Sequence, residues 1–188
     1  MMDFRETDIP GCVEITPRIL RDERGTFVKT FHREMFAMQG LNTAWAEEYY
    51  SVSHRGVLRG LHFQLPPHDH DKLVYCTRGS VLDAALDLRR GSPTYGGHVL
   101  LELSATAGNM LYLPRGLAHG FYVQSESATL VYKVTSVYAP QHDAGILWNS
   151  AGIPWPDNAP TLSPRDAGFG SFNGFASPFE YQDRRGAA

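Results

Sequence analysis

The sequence predicts an all-β domain, a sandwich or small barrel of the jelly-roll kind. Short apolar runs alternate with polar residues as strands do, and Gly, Pro, Asn or Asp closes these runs. Turn signals recur about every 8–12 residues, a spacing typical of sandwiches and barrels. Only the segment 32–38 has a helical pattern of any length, so we expect short helices at the periphery.

Ten segments rich in Val, Leu and Tyr match the strand pattern. They are 11–16, 26–31, 44–53, 56–64, 72–77, 80–88, 98–103, 108–114, 120–124 and 128–136. Turn-forming residues separate them, as at Asp22 to Gly25 and at Arg78-Gly79.

The chain length fits one domain. A chain of 188 residues can bury roughly 70% of the surface that its unfolded form exposes. We expect a single domain over 1–188, with its core at about 9–166 and a C-terminal extension at 167–188. Spaced aromatic residues in the extension should dock on the barrel, and the last six or so residues should be loose.

Charge and composition exclude several classes of partner. The formal net charge is −3, without the basic footprint of nucleic-acid binding. No apolar run approaches the roughly 20 residues of a membrane span. Two cysteines, Cys12 and Cys76, are too few for a disulfide framework, and the first eleven residues lack the features of an export signal. We therefore expect a cytoplasmic protein with reduced thiols.

Ionisable residues recur within the apolar strands. Arg59 and His62 lie in one such strand, where alternation sends one or the other toward the interior. An isolated buried His is usually structural, but Lys72, His119 and Tyr132 recur in other strands or at their ends. Several ionisable side chains aimed into a small barrel predict a ligand site in its mouth.

Two segments, 68–79 and 114–119, resemble the two sequence signatures of the cupin superfamily. Metal-binding cupins use two His and a Glu from the first signature and a third His from the second. Lys72 stands where the Glu would be, and an ammonium has no lone pair to offer a cation. His68 and His70 lie in a Pro-rich polar loop, where we expect solvated side chains. We therefore expect no metal.

A more specific resemblance rests on seven motifs in one order. They are DERGTF at 22–27, GVLRGLHFQ at 56–64, KLV at 72–74, GSPTYG at 91–96, GLAHGF at 116–121, VYK at 131–133 and LSPRD at 162–166. Together they resemble the dTDP-4-dehydrorhamnose 3,5-epimerase family over about residues 9 to 166. The resemblance implies a cupin-type jelly roll, usually a homodimer, that needs no cofactor and works in deoxysugar biosynthesis.

The resemblance also implies catalytic roles. In a 4-keto hexose, C3 and C5 both adjoin the carbonyl, so loss of a proton from either leaves an enolate. Epimerisation then needs a base on one face and an acid on the other. The resemblance makes His62 the base, oriented by Asp166, and Tyr132 the acid. Lys72 would stabilise the enolate charge.

A second group of residues is implied for substrate binding. Guanidinium groups bind phosphate oxygens bidentately, which suits a diphosphate. The resemblance assigns four donors to the diphosphate: Arg24, Arg59, His119 and Arg165. It also places Phe27 in the ligand site, Tyr138 against the base or sugar, and Asp143 where family members commonly carry a Glu.

The chain departs from the family at positions linked with the thymidine portion. Lys29 stands where members have a Glu, and Glu47-Glu48-Tyr49 replaces a Gln-x-Asn triplet. Lys29 and the two glutamates could be a compensated charge exchange, or they could signal another nucleotide. We expect a nucleotide preference different from the family norm, with dTDP, CDP and GDP all open. Inversion at C3, C5 or both is also open.

Three other functions fit parts of the pattern. They are a cupin sugar ketoisomerase, a non-catalytic cupin that binds sugar nucleotides, and a metal-dependent cupin oxygenase. The co-linear His62, Tyr132 and Asp166 favour the epimerase, because binding alone requires no paired acid and base.

Overall fold

The computed structural model describes residues 2–182, in which two antiparallel sheets face each other. The strands are β1 (Met2–Glu6), β2 (Val13–Pro17), β3 (Ile19–Asp22), β4 (Gly25–Val28), β5 (Glu47–His54), β6 (Leu58–Gln64), β7 (Lys72–Arg78), β8 (Ser80–Asp87), β9 (His98–Ser104), β10 (Met110–Leu113), β11 (Leu117–Val123), β12 (Ser127–Val134) and β13 (Asp143–Gly145).

The sheet order is that of a jelly roll. The larger sheet has six strands in the order β1-β2-β10-β7-β12-β5, and the facing sheet has five in the order β13-β6-β11-β8-β9. Strands β3 and β4 form a separate hairpin that pairs with neither sheet. The all-β class is confirmed.

Among the described residues, the helices lie at the periphery. They are α1 (Arg33–Met38), α2 (Pro164–Ala167) and a 3-10 turn (Pro140–His142). Within residues 2–182, no helix has the length and apolar character needed to cross a membrane.

Apolar side chains from both sheets fill the space between them. Val74 and Leu130 from the larger sheet meet Val81 and Phe121 from the smaller one, and all four are buried. Each such side chain contributes about 1.5–3 kcal/mol through burial. Further clusters cover the outer faces, around Phe36 of α1 on one side and two tryptophans, Trp148 and Trp155, on the other.

A β-bulge in β6 decides which residues face the inter-sheet space. His119 of β11 pairs with His62, and Phe121 pairs with Arg59, so two steps on β11 match three on β6. Simple alternation would send only one of Arg59 and His62 inward, but the extra residue turns both toward the same cavity. The sequence expectation of one or the other was therefore too narrow.

Each of the ten predicted strands matches an observed strand, with shifted ends. The largest shifts at a strand start are three residues and concern segments 44–53 and 120–124, since β5 begins at Glu47 and β11 at Leu117. The pattern did not identify β1, β3 and β13. β1 and β3 are mostly exposed and lack apolar alternation, and β13 has only three residues.

The aromatic residues of the C-terminal extension dock on the barrel as predicted. Phe172 packs on Tyr95, while Phe175 and Phe179 pack on Phe63. The expectation of loose final residues falls on 183–188, outside the described residues.

Both cysteines are buried free thiols, as the sequence predicts. Burial raises the pKa of Cys12 and of Cys76 to about 12, so neither forms a thiolate near neutral pH.

The turn between β7 and β8 offers a test of close packing. Gly79 and Gly91 have similar positive φ angles of 72° and 79°, but a Cβ on Gly79 would lie 2.1 Å from the Ser127 carbonyl oxygen. Gly91 has open space. We expect Gly91→Ala to lower the free energy of unfolding by about 1–2 kcal/mol and Gly79→Ala to lower it by about 1–3 kcal/mol more. Urea denaturation measures both, and equal losses would contradict the packing argument.

Candidate active site

A cavity of about 340 Å³ opens between the two sheets. Ten residues singled out in the sequence line it: Glu47, Tyr49, Arg59, His62, Lys72, His119, Tyr132, Tyr138, Asp143 and Arg165. They come from distant parts of the chain, and the antiparallel strands bring them together.

His62 and Asp166 form a hydrogen-bonded pair on the five-stranded sheet. His62 Nε2 lies 2.7 Å from Asp166 Oδ1, and the backbone N–H of Gly60 donates to Asp166 Oδ2 at 3.3 Å. Asp166 lies in α2, where its own N–H donates to the N-cap hydroxyl of Ser163. Burial raises the pKa of Asp166. The hydrogen bonds, chiefly that from His62, lower the pKa by more than burial raises it, so the net shift is downward. The carboxylate is therefore ionised at neutral pH.

Tyr132 lies across the cavity on the six-stranded sheet. It occupies an inward position of β12, where buried and partly exposed residues alternate. Its ring stacks on Tyr49 with centroids 4.8 Å apart, and its hydroxyl lies 3.1 Å from Ser51 Oγ. Burial raises the pKa of Tyr132, although the Ser51 hydrogen bond opposes that rise. The phenol is fully protonated at neutral pH.

Lys72 places a buried ammonium beside these groups. It begins β7 and is 8% exposed. Burial lowers the pKa of Lys72 to about 8, although the charges of Asp83 and Asp143 oppose the shift. Lys72 therefore keeps its charge at neutral pH but lies close to its titration range.

A second histidine–carboxylate pair lies deeper in the smaller sheet. His119 Nε2 is 2.8 Å from Asp83 Oδ2, and both residues are buried. Burial lowers the pKa of His119, although Asp83 opposes the shift. The other oxygen of Asp83, Oδ1, has no hydrogen-bond partner within the described residues.

Charged and aromatic residues form the rim of the cavity. Arg165 pairs with Asp143 at 2.7 Å, and Arg59 Nε donates to Ser53 Oγ at 2.9 Å. Tyr138 is 57% exposed and its hydroxyl donates to Asp143. The rim thus combines guanidinium groups with an accessible aromatic ring.

The side chains of the segment Glu47-Glu48-Tyr49 on β5 alternate between the two faces of the sheet. Glu47 accepts a hydrogen bond from the backbone N–H of Tyr138, while Glu48 pairs with Lys133 at 2.8 Å. Both glutamates are committed to contacts other than Lys29. Within one chain the structure therefore gives no contact for a charge exchange between Lys29 and these glutamates.

Three residues assigned to the substrate do not line this cavity. Arg24, Phe27 and Lys29 belong to the β3–β4 hairpin region, and Arg24 pairs with Asp22 in its own turn. Phe27 is 62% exposed. Phe27 and Lys29 instead line a separate groove beside α1.

His70, one of the two loop histidines, differs from expectation. His70 lies against the cavity, where its Nδ1 is 3.2 Å from both Gln64 Nε2 and Ser136 Oγ. Burial, with help from Lys72 and Arg115, lowers the pKa of His70 to about 3. The expectation of a solvated His70 was wrong, because Gln64 and Ser136 draw the loop onto the barrel.

The donor set does not suit the metal of metal-binding cupins. Among residues 2–182, no group of three or more His, Cys, Asp or Glu is placed to hold an ion. Lys72, at the position of the metal-ligating Glu, adds a positive charge to the same cavity. No step of the chemistry is therefore assigned to a metal.

Sequence reasoning missed Ser51, Asp83 and Gln64. Asp83 carried a usable signal, since it is an acid at an inward position in the middle of the apolar strand β8. Gln64 lay in a recognised motif, and its side chain anchors Ala139 N–H and His68 C=O. Ser51 had no comparable signal, because a serine in a half-exposed strand is ordinary.

The arrangement places a histidine–aspartate pair and a tyrosine on opposing sheets, with a buried ammonium in the same cavity. Such a set can remove a proton from one face of a bound molecule, return one to the other face and hold a negative charge in between.

Comparison with known proteins agrees with this chemistry. The sequence model of the dTDP-4-dehydrorhamnose 3,5-epimerase family matches residues 6–173. The chain is 41% identical to the dTDP-4-dehydrorhamnose 3,5-epimerase of Shigella flexneri, covering 88% of this chain and 93% of that protein. It is also 41% identical to the dTDP-4-dehydrorhamnose 3-epimerase of Streptomyces niveus, covering 88% and 81%.

A solved structure matches equally well. The dTDP-6-deoxy-D-glucose-3,5-epimerase of Legionella pneumophila, in complex with dTDP-4-keto-L-rhamnose, superposes with a TM-score of 0.92 at 36% identity. The match covers 97% of this chain and all of that one. The chain therefore belongs to the dTDP-4-dehydrorhamnose 3,5-epimerase family, the isomerases that epimerise sugars in deoxysugar biosynthesis.

Proposed function

We propose that the chain inverts C3, C5 or both in a nucleotide-linked 4-keto-6-deoxyhexose, using His62 as base and Tyr132 as acid. One observation carries the proposal: the two groups line the same cavity from opposing sheets. A sugar bound between the sheets would present one face to each. The catalytic core lies within about 9–166 of a single domain spanning 1–188.

The first step is proton removal by His62. The ionised Asp166 only accepts hydrogen bonds, so His62 Nε2 carries the proton shared with it and Nδ1 carries the free lone pair. Nδ1 takes the proton from carbon, and the C–H electrons form the enolate with its charge on the C4 oxygen. Asp166 then stabilises the imidazolium and fixes the ring orientation.

Lys72 stabilises the enolate between the two proton transfers. Its ammonium is charged at neutral pH and is largely buried in the cavity wall. A positioned cation or donor beside a developing oxyanion is worth roughly 3–4 kcal/mol. Tyr132 then donates its proton to the opposite face, and the carbonyl re-forms.

The nucleotide diphosphate occupies the rim. Arg59 and Arg165 supply donors for the phosphates, and Tyr138 stacks against the base or sugar. His119, which the resemblance also assigns to the diphosphate, lies deeper in the same cavity beside Asp83. The Legionella relative binds a dTDP-linked sugar. We propose a dTDP sugar as the main substrate, with CDP and GDP sugars as competing candidates.

We further propose a homodimer in which the β3–β4 hairpin reaches a second copy. Leu20 and Phe27 of the hairpin are 46% and 62% exposed, and the hairpin joins neither large sheet. A second copy would bring the family-implied Arg24, Phe27 and Lys29 to a substrate that they cannot reach in their own chain. Buried free thiols and a nucleotide-sugar substrate support a cytoplasmic location.

The division of labour between His62 and Tyr132 is testable in D₂O. His62→Ala should abolish deuterium entry at C3 and C5, because no enolate forms without the base. Tyr132→Phe should still form the enolate, which His62 reprotonates on the original face, while inversion slows about 10²–10⁴-fold. NMR of the sugar protons measures exchange and inversion together. Wild-type exchange in a folded His62→Ala protein would falsify the base assignment.

The buried charge of Lys72 should lower the free energy of unfolding. Between about pH 8 and 10.5 the unfolded chain binds more protons at Lys72 than the folded one, so the wild type gains stability as pH rises. Lys72→Met should therefore be more stable than the wild type at pH 7 by roughly 3 kcal/mol, while losing activity. The gap should close by about pH 10.5. Denaturant titrations across this range measure it, and a gap independent of pH would refute the buried-charge assignment.

The altered residues Tyr49 and Lys29 should change nucleotide discrimination. We expect the preference for dTDP over CDP and GDP to be weaker than in a family member that keeps the Asn and the Glu. Values of kcat/KM for three sugars that differ only in the nucleotide measure this, with such a member assayed alongside. Equal discrimination by the two enzymes would show that the substitutions are compensated.

Mixed dimers test the shared site. Arg24→Glu and His62→Ala should each be inactive alone, but co-expression should restore up to about a quarter of wild-type activity, because half of random dimers are mixed and each has one intact site. His62→Ala mixed with Tyr132→Phe is the matched control. Both of those residues belong to the same chain's cavity, so no intact site forms. Absence of recovery in the first mixture would rule out a site completed by the partner.

A further inference from the structure

Tyr132, the proposed acid, contacts two side chains of the neighbouring strand β5. Strands β5 and β12 are antiparallel, with Tyr49 opposite Tyr132 and Ser51 opposite Leu130. Tyr49 and Ser51 are two residues apart and so share the face that lines the cavity. Both side chains contact Tyr132.

The two contacts restrain different parts of Tyr132. The Tyr49 ring lies nearly parallel to that of Tyr132, with an interplanar angle of 18°, and so limits tilting of the phenol. His119 packs against the ring at a steep angle, 79°, with centroids 6.1 Å apart. Ser51 Oγ, 3.1 Å from the phenolic oxygen, fixes where the hydroxyl lies.

The Ser51 contact can also stabilise the negative charge that the reaction leaves on Tyr132. When Tyr132 gives its proton to carbon, its O–H bond breaks and a phenolate remains on a residue that is 7% exposed. Such a charge needs a donor. The Ser51 hydroxyl can turn to donate to the phenolate while keeping its own proton, and hydrogen bonds to charged groups are stronger than those between neutral groups.

We propose that Ser51 and Tyr49 are positioning residues for the acid step: Ser51 fixes the Tyr132 hydroxyl and donates to its phenolate, and Tyr49 fixes the ring. This inference rests on the proposed role of Tyr132 as the acid. It also gives a purpose to Tyr49, which stands where the family carries an Asn.

The test compares deuterium exchange with inversion in D₂O. Ser51→Ala should slow inversion roughly 10- to 100-fold, the loss expected for one hydrogen bond to a charged group. Exchange should stay near the wild-type rate because His62 is untouched, so the ratio of exchange to inversion should rise. Ser51→Thr keeps a hydroxyl and should restore inversion to within a few-fold of the wild type.

Matched variants separate positioning from general damage. Thr129→Val removes a hydroxyl from the other face of β12 and should leave the ratio unchanged. Tyr49→Phe preserves the stack and the ratio, while Tyr49→Leu should raise it. If Ser51→Ala does not fold, Ser51→Cys, which weakens the donor at similar size, serves in its place.

The outcomes distinguish the two proposals. If Tyr132→Phe raises the ratio of exchange to inversion but Ser51→Ala leaves it unchanged, the positioning role is overturned and the acid assignment stands. A Tyr132→Phe ratio that does not rise would instead overturn the acid assignment and this inference with it. Adding Ser51→Ala to Tyr132→Phe should have no further effect on the ratio, because the hydroxyl that Ser51 serves is already gone.

Discussion

Burial of ionisable groups between two β-sheets is the constraint on which the rest of the site depends. The inter-sheet space begins as an ordinary apolar core and becomes polar where Lys72, His119 and Asp83 enter it. Each buried charge needs a partner or loses its charge. Asp166 and Asp83 give the two histidines hydrogen-bond partners, while burial lowers the pKa of His119 and moves that of Lys72 toward neutrality.

The sandwich architecture supplies the geometry that epimerisation requires. A base and an acid on one strand would face the same side of a sugar, whereas groups on facing sheets address opposite sides. The bulge in β6 adds Arg59 to the same wall as His62, which brings a phosphate-binding group close to the base. The proposed chemistry therefore depends more on which sheet carries the base and which carries the acid than on any single contact.

The C-terminal part of the chain completes the base side. Asp166 reaches His62 from α2, and Phe169 packs its ring at a steep angle to the His62 imidazole, 5.7 Å away. Gly145 has no side chain, and a Cβ there would lie 2.4 Å from the Phe169 ring. The segment after the barrel thus belongs to the active site, and its aromatic residues hold it there.

The sequence by itself determined the all-β class, ten strands and most of the groups in the cavity. Alternation and turn residues are local signals, and the co-linear motifs identified His62, Lys72, Tyr132 and Asp166 without any distance. Only the tertiary structure decided which groups meet. It put Arg59 and His62 on one wall through a bulge, gave Asp83 and Ser51 their partners, and left Phe27 outside the cavity. The reason is physical: pairing across strands and burial depend on residues far apart in the chain, which no local pattern records.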